Sequence, residues 1–206
     1  MTTLPHLCRR AAAALLLAGF SLAPLGLAAA PLDLQEPVAA DSLKESKRTA
    51  PGLYITAAEA GRVLEAHDNV ALIDVRTPSE IMLIGYATKA AANIPSKFVD
   101  PNLAETSLKG EYGMVDNPAF VDEMKAWLAS DAARGIDTLL VMCRSGSRSA
   151  AAIGKLVEAG VDVTLYNVVD GFEGDKNKAG VRAVNGWRNA GLPWTYKIHE
   201  GLRPAN

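Results

Sequence analysis

Cysteine is nearly absent from this sequence, with two among 206 residues. A disulfide framework is therefore out of reach, because Cys8 falls in a segment expected to be removed. Histidine is scarce too. His67 and His199 stand far apart with no cysteine or carboxylate cluster beside them, so neither a metal site nor a bound cofactor is expected. Basic charge is not in excess either: 21 Lys and Arg face 23 Asp and Glu, a formal net charge of −2. Without a basic stripe, nucleic acid is excluded as a partner. The apolar stretch Ala11 to Ala23 is too short to span a bilayer comfortably, and Gly19, Pro24 and Gly26 interrupt it as a helix.

What is present at the amino end reads as a secretory signal peptide, residues 1–30. Arg9 and Arg10 form its positive head, and Ala28-Ala29-Ala30 offers a small-residue cleavage pattern. Cutting after Ala30 removes two basic residues and no acidic one, so the formal charge moves from −2 to −4. The mature protein is then expected in the periplasm or secreted, with no stable membrane anchor. Cys143 is its lone thiol, and in an oxidising compartment such a leftover cysteine is reactive or intermolecular.

Residues 31–50 are polar and rich in proline and alanine, and are expected to form a flexible leader. One domain follows over 51–200, with a short tail at 201–206. Thr56-Ala-Ala-Glu59 is a capping-box pattern that opens a helix to about Ala66. "NVALIDV" (69–75), "DTLLVMC" (137–143) and "VTLYNVV" (163–169) are short continuous apolar runs, the mark of strands buried on both faces, and a further strand is predicted at Ala91–Ile94. A helix starting at Asn117-Pro118 places Phe120, Met124, Trp127 and Leu128 on its core face. "SAAAIGKLVEAG" is a third helix with Gly160 as its stop, and Lys178–Ala190 reads as a fourth. Strands alternating with helices predict an α/β fold with a mostly parallel sheet.

Cys143 closes a buried strand in "VMCRSGSRSA" (141–150), and residues 144–148 lead directly into a helix. Ligands of open α/β sheets bind at the carboxyl ends of strands. Loop N–H groups, the positive helix end and the charges of Arg144 and Arg148 all favour thiolate over thiol. Two chemistries use an anion-holding loop over a cysteine. Tyrosine-phosphatase-like enzymes carry Cys-x5-Arg around a tetrahedral phosphate. Here the spacing from Cys143 to Arg148 is Cys-x4-Arg, Ser149 occupies the phosphatase arginine position, and Met142 precedes the cysteine. The shorter cradle suits a cysteine bearing one extra sulfur.

These residues resemble the rhodanese family of sulfurtransferases. "LIDVRTPSE" (72–80), "CRSGSRS" (143–149), "VVDGFEG" (168–174) and "NGWRNAGLPW" (185–194) match its motifs in order. "GYATKAA" (85–91) departs from the pattern, with tyrosine for histidine and lysine for a glycine, and 96–116 and 175–181 look like insertions. The resemblance implies a rhodanese-like α/β domain, with a mostly parallel central sheet flanked by helices on both faces. It also implies a small anionic donor such as thiosulfate, a Cys143 persulfide, and cyanide or a thiol as acceptor.

In that scheme Arg144 and Arg148 orient the donor, while Ser145, Gly146 and Ser147 contribute chiefly backbone N–H groups. Asp74 is expected to brace the loop, and Arg76 and Glu80, four apart, are spaced to pair. Two alternatives stay open. One is a phosphatase or arsenate-reductase type of enzyme on the same fold. The other is a non-catalytic persulfide- or redox-sensing module.

Overall fold

A computed structural model describes Met1 and residues 32–102 and 112–202. Apart from Met1, the predicted signal peptide lies outside the described residues. In chain order the elements are β1 (Tyr54–Ile55), α1 (Ala57–Ala66), β2 (Val70–Asp74), α2 (Pro78–Ile84), β3 (Tyr86–Ala87), β4 (Ala90–Asn93), β5 (Lys97–Val99), β6 (Met114–Asp116), α3 (Phe120–Leu128), β7 (Thr138–Met142), α4 (Ser147–Glu158), β8 (Thr164–Val168) and β9 (Trp194–Thr195). Five of the strands form one sheet in the order β1-β8-β7-β2-β4, and each neighbouring pair is parallel.

β2, β7 and β8 are buried at every position, as continuous apolar runs require. Alternate side chains enter different cores. Leu72, Leu140 and Met142 join α1, Ile81 and Trp187 on one face. Ala71, Ile73, Leu139 and Val141 join α3 and α4 on the other. Helices therefore cover both faces, the rhodanese-like α/β arrangement expected from the sequence.

Two expectations are corrected. Lys178–Ala190 is not helical but a chain of turns. Asn177 Oδ1 accepts from the Ala179 and Val181 N–H groups, and Asn185 Oδ1 accepts from Asp175 N–H. Asn177 thus takes the Val181 N–H that a helix would need, and the Trp187 and Arg188 N–H groups donate out of the segment to Gly171 O and Phe172 O. Residues 32–50, read as a flexible leader, are instead a strap docked on the domain. Leu32 N–H donates to Tyr166 Oη, Gln35 N–H to Glu59 Oε1, and Leu32 and Leu34 pack on the core. A 3-10 turn at Glu45–Lys47 lies beside α4, and Lys47 Nζ reaches Asp175 at 3.0 Å. A polar composition thus concealed partners supplied from across the domain.

Smaller differences concern boundaries. α3 begins at Phe120, because Asn117 Oδ1 caps Ala119 N–H ahead of it. α4 begins at Ser147, which brings Ser147 and Arg148 into its first turn. The inserted stretch 96–116 contains the antiparallel pair β5–β6, and 103–111 fall outside the described residues.

Candidate active site

β7 delivers Cys143 to the carboxyl edge of the sheet, and four residues later α4 begins. The thiol is 2% exposed. Gly146 N–H donates to Cys143 Sγ at 3.1 Å, and the Ser149 hydroxyl lies 3.4 Å from the same sulfur. The sulfur therefore sits against the positive end of a 12-residue helix.

The turn after β8 clasps the loop from below. Phe172 N–H donates to Cys143 O, and the Glu173 and Gly174 N–H groups donate to Arg144 O. The approach is close enough to require glycine. A Cβ on Gly171, at φ +63°, would stand 2.5 Å from Cys143 O. Asp170 anchors this turn by accepting from Ala57 and Gly186 N–H groups, while burial pushes its carboxyl above the usual range.

The two loop arginines are not free charges. Arg148 makes a two-point contact with Glu80, with Nη1 2.8 Å from Oε2. Arg144, whose side chain is 41% exposed, donates from Nε and Nη2 to both oxygens of Glu173. Both bonds are of the planar, bidentate kind that guanidinium and carboxylate form well. The expected Arg76–Glu80 pairing is thus corrected: Glu80 sits at the third position of α2, where it caps Thr77 N–H and turns its carboxylate to Arg148. Thr77-Pro78-Ser79-Glu80 is itself a capping box, a sequence signal from which this orientation was readable.

Arg76 pairs instead with Asp74, Nη2 to Oδ2 at 2.7 Å, both side chains fully buried. The carboxylate of Asp74 binds Arg76 and not the loop, which corrects its expected bracing role; Arg76 lies with its guanidinium carbon 4.1 Å from the Phe172 ring centroid. The pair therefore supports the clasping turn from behind. Ser145, Gly146 and Ser147 complete the loop, with Ser147 Oγ 3.3 Å from Ser46 Oγ of the strap. Among the described residues, no three His, Cys, Asp or Glu side chains converge as metal ligands.

Burial alone would raise the Glu80 carboxyl, but the hydrogen bonds and charge of Arg148 hold it below its ordinary value. A depressed carboxyl stabilises the fold above its unfolded value of about 4.3 and loses that contribution as pH falls through the lower folded value. Glu80→Gln should therefore destabilise the protein at pH 7 by about 1–3 kcal/mol, less than for a fully buried pair because each side chain is 17% exposed. The difference from the parent should shrink as pH falls through the lowered folded value of the Glu80 carboxyl. Urea midpoints across pH check this, and a pH-independent difference would refute the ionic origin.

Glu173, Asn167 and Lys47 are residues around the site that spacing did not reveal. Glu173 and Asn167 meet the loop across 29 and 21 positions, and Lys47 reaches it through Asn167, 120 positions away.

No protein-family model matches the chain. An uncharacterised protein of Rickettsia conorii is 28% identical over 142 residues, covering 69% of this chain and 96% of that protein. The solved structure of Rv0390 from M. tuberculosis is 28% identical with a TM-score of 0.50, covering 69% of this chain and 96% of its own. A rhodanese-related protein from Thermoplasma volcanium is 19% identical with a TM-score of 0.38, over 70% of this chain and 99% of that one.

Proposed function

For this rhodanese-like domain we propose a sulfurtransferase activity that carries sulfane sulfur on Cys143, with thiosulfate or a similar small anion as donor. The observation that carries this reading is the cysteine's seat: Sγ is buried, held by Gly146 N–H, and lies at the head of α4. Such a seat favours a thiolate and then an anionic terminal sulfur.

In the first half-reaction the Cys143 thiolate attacks the outer sulfur of thiosulfate. A new S–S bond forms, the donor's own S–S bond breaks, and sulfite leaves with the bonding pair. The product, Cys143–S–S⁻, keeps the single negative charge that the thiolate brought. In the second, cyanide or an acceptor thiolate takes the terminal sulfur and the thiolate is restored, giving ping-pong kinetics.

The pairing of Arg144 with Glu173 and of Arg148 with Glu80 gives these arginines a double task. They fix the loop's shape, and their charge is largely compensated. Recognition of the donor then falls chiefly to backbone N–H groups and the helix end. The same count speaks against phosphate. Ser149, at the place of the phosphatase arginine, is fully buried and bonded to Asn167. The reading also places the working protein outside the cytoplasm, on the strength of the signal-peptide pattern in residues 1–30.

Incubation with thiosulfate should add about 32 Da to the intact protein, one sulfur on the cysteine, and cyanide should remove it. Cys143→Ser should abolish the adduct. No adduct in the parent, or turnover of an aryl phosphate or arsenate exceeding sulfur transfer, would reject the assignment.

A further inference from the structure

Behind Cys143 lies a buried polar chain that the sulfur-transfer scheme does not use. Ser149 and Asn167 are both fully buried. The Ser149 hydroxyl has one hydrogen and three acceptors within reach: Asn167 Oδ1 at 2.6 Å, Gly146 O at 3.1 Å and Cys143 Sγ at 3.4 Å. The orientation of the amide is fixed by its other end. Asn167 Nδ2 donates to Lys47 O at 2.8 Å and to Gly146 O at 3.0 Å. Both partners are carbonyls, so a flipped amide would set Oδ1 against two acceptors. Oδ1 must therefore face Ser149. The Lys47 carbonyl belongs to the docked strap, so a segment outside the α/β layers fixes this amide.

We propose that Asn167 is a positioning residue for Cys143, its side-chain carbonyl competing with the sulfur for the Ser149 hydroxyl hydrogen. The proposal rests on Cys143 being the reacting thiol of the site. While Sγ is protonated, one unidirectional chain satisfies every member: S–H to Ser149 Oγ, and O–H to Asn167 Oδ1. When the proton leaves to solvent, the hydroxyl turns to the thiolate and Oδ1 gives up that donor in a buried setting. Asn167 thus favours the thiol, in opposition to Gly146 N–H, the head of α4 and the charge of Arg148, which Glu80 of α2 offsets in part. In the loaded state the inner sulfur is uncharged and the hydroxyl rests on Asn167 again. It returns to Sγ each time the terminal sulfur departs.

The test is the pH profile of Cys143 alkylation by iodoacetamide in the full chain, where the thiolate displaces iodide to form a thioether. Asn167→Val, a β-branched residue suited to β8, should shift the profile to lower pH and raise the rate at pH 6 about three- to tenfold, the worth of one neutral hydrogen bond. Ser149→Ala should shift it the other way, because a hydrogen bond to the thiolate is worth more than one to the thiol. The double variant should match Ser149→Ala alone, since Asn167 acts only through the hydroxyl.

A profile for Asn167→Val that stays in place or moves upward overturns the proposal, as does additivity in the double variant. If Asn167→Val does not fold, the parent decides. Its Asn167 side-chain amide resonance should titrate with the alkylation midpoint, and a flat resonance overturns the assignment. Thiosulfate loading is read separately by mass. A parent that shows the alkylation pattern without loading keeps the Asn167 assignment and loses the sulfurtransferase reading.

Discussion

Asp74→Ala is expected to lower the free energy of unfolding by about 3–5 kcal/mol, as is usual when one partner of a buried ion pair is removed. The carboxylate accepts from Arg76 N–H at 3.0 Å, from Nε at 3.0 and 3.1 Å and from Nη2 at 2.7 Å. Both side chains are fully buried. Without the carboxylate, the guanidinium retains Gly85 O at 2.9 Å and the face of Phe172, and its Nη1 already lacks a hydrogen-bond partner. Water cannot reach the charge without opening the core between α2 and the clasping turn. Equilibrium urea unfolding measures the loss. A second variant separates charge from packing: Asp74→Ala with Arg76→Leu should recover part of the stability, because no buried charge is then stranded. A single variant within 1 kcal/mol of the parent would contradict this account.

Gly146→Ala is expected to slow persulfide loading by about a hundredfold or more, the scale of loss when a reacting group moves by roughly 1 Å. Gly146 has φ +98°, and a Cβ there would stand 2.2 Å from Val169 O and 2.7 Å from its carbonyl carbon. Those are backbone atoms of the turn after β8, so no rotamer change relieves the contact. The loop has to lift, and Gly146 N–H then leaves Cys143 Sγ. Gly160→Ala is the control. That glycine also has positive φ, +66°, but open space around it, so it carries only the conformational cost of about 1–2 kcal/mol. The rate of mass gain with thiosulfate should separate the two. Equal loading rates in Gly146→Ala and the parent would show that the loop needs no close approach to Val169.

Much of the fold was legible because its signals are local. "VALID", "TLLVM" and "TLYNV" are predominantly apolar without alternation and are buried at every position, the pattern of strands covered on both faces. Thr56 caps α1 through Glu59 N–H as its motif predicts. Cys143 at a strand end and five residues before Arg148 likewise followed from counting. Lys178–Ala190 misled because asparagine side chains compete with the helix for backbone donors, an outcome that depends on where those side chains point. The strap misled because its polar residues gave no hint of Tyr166, Glu59 and Asp175 waiting across the domain.

The amino-acid sequence by itself determined four of the five strands of the sheet, three of the helices that cover it, and a cysteine placed at the head of one of them. Tertiary structure alone decided which carboxylate meets which arginine, and what holds the amide behind Ser149. Arg148 meets Glu80, 68 positions away, and not a nearer acid; Arg76 turns to Asp74, two positions away, and not to Glu80. Chain separation sets local hydrogen-bond patterns, but ion pairs form by distance in space. That distance exists only once β2, β7 and the turn after β8 have brought their carboxyl ends together.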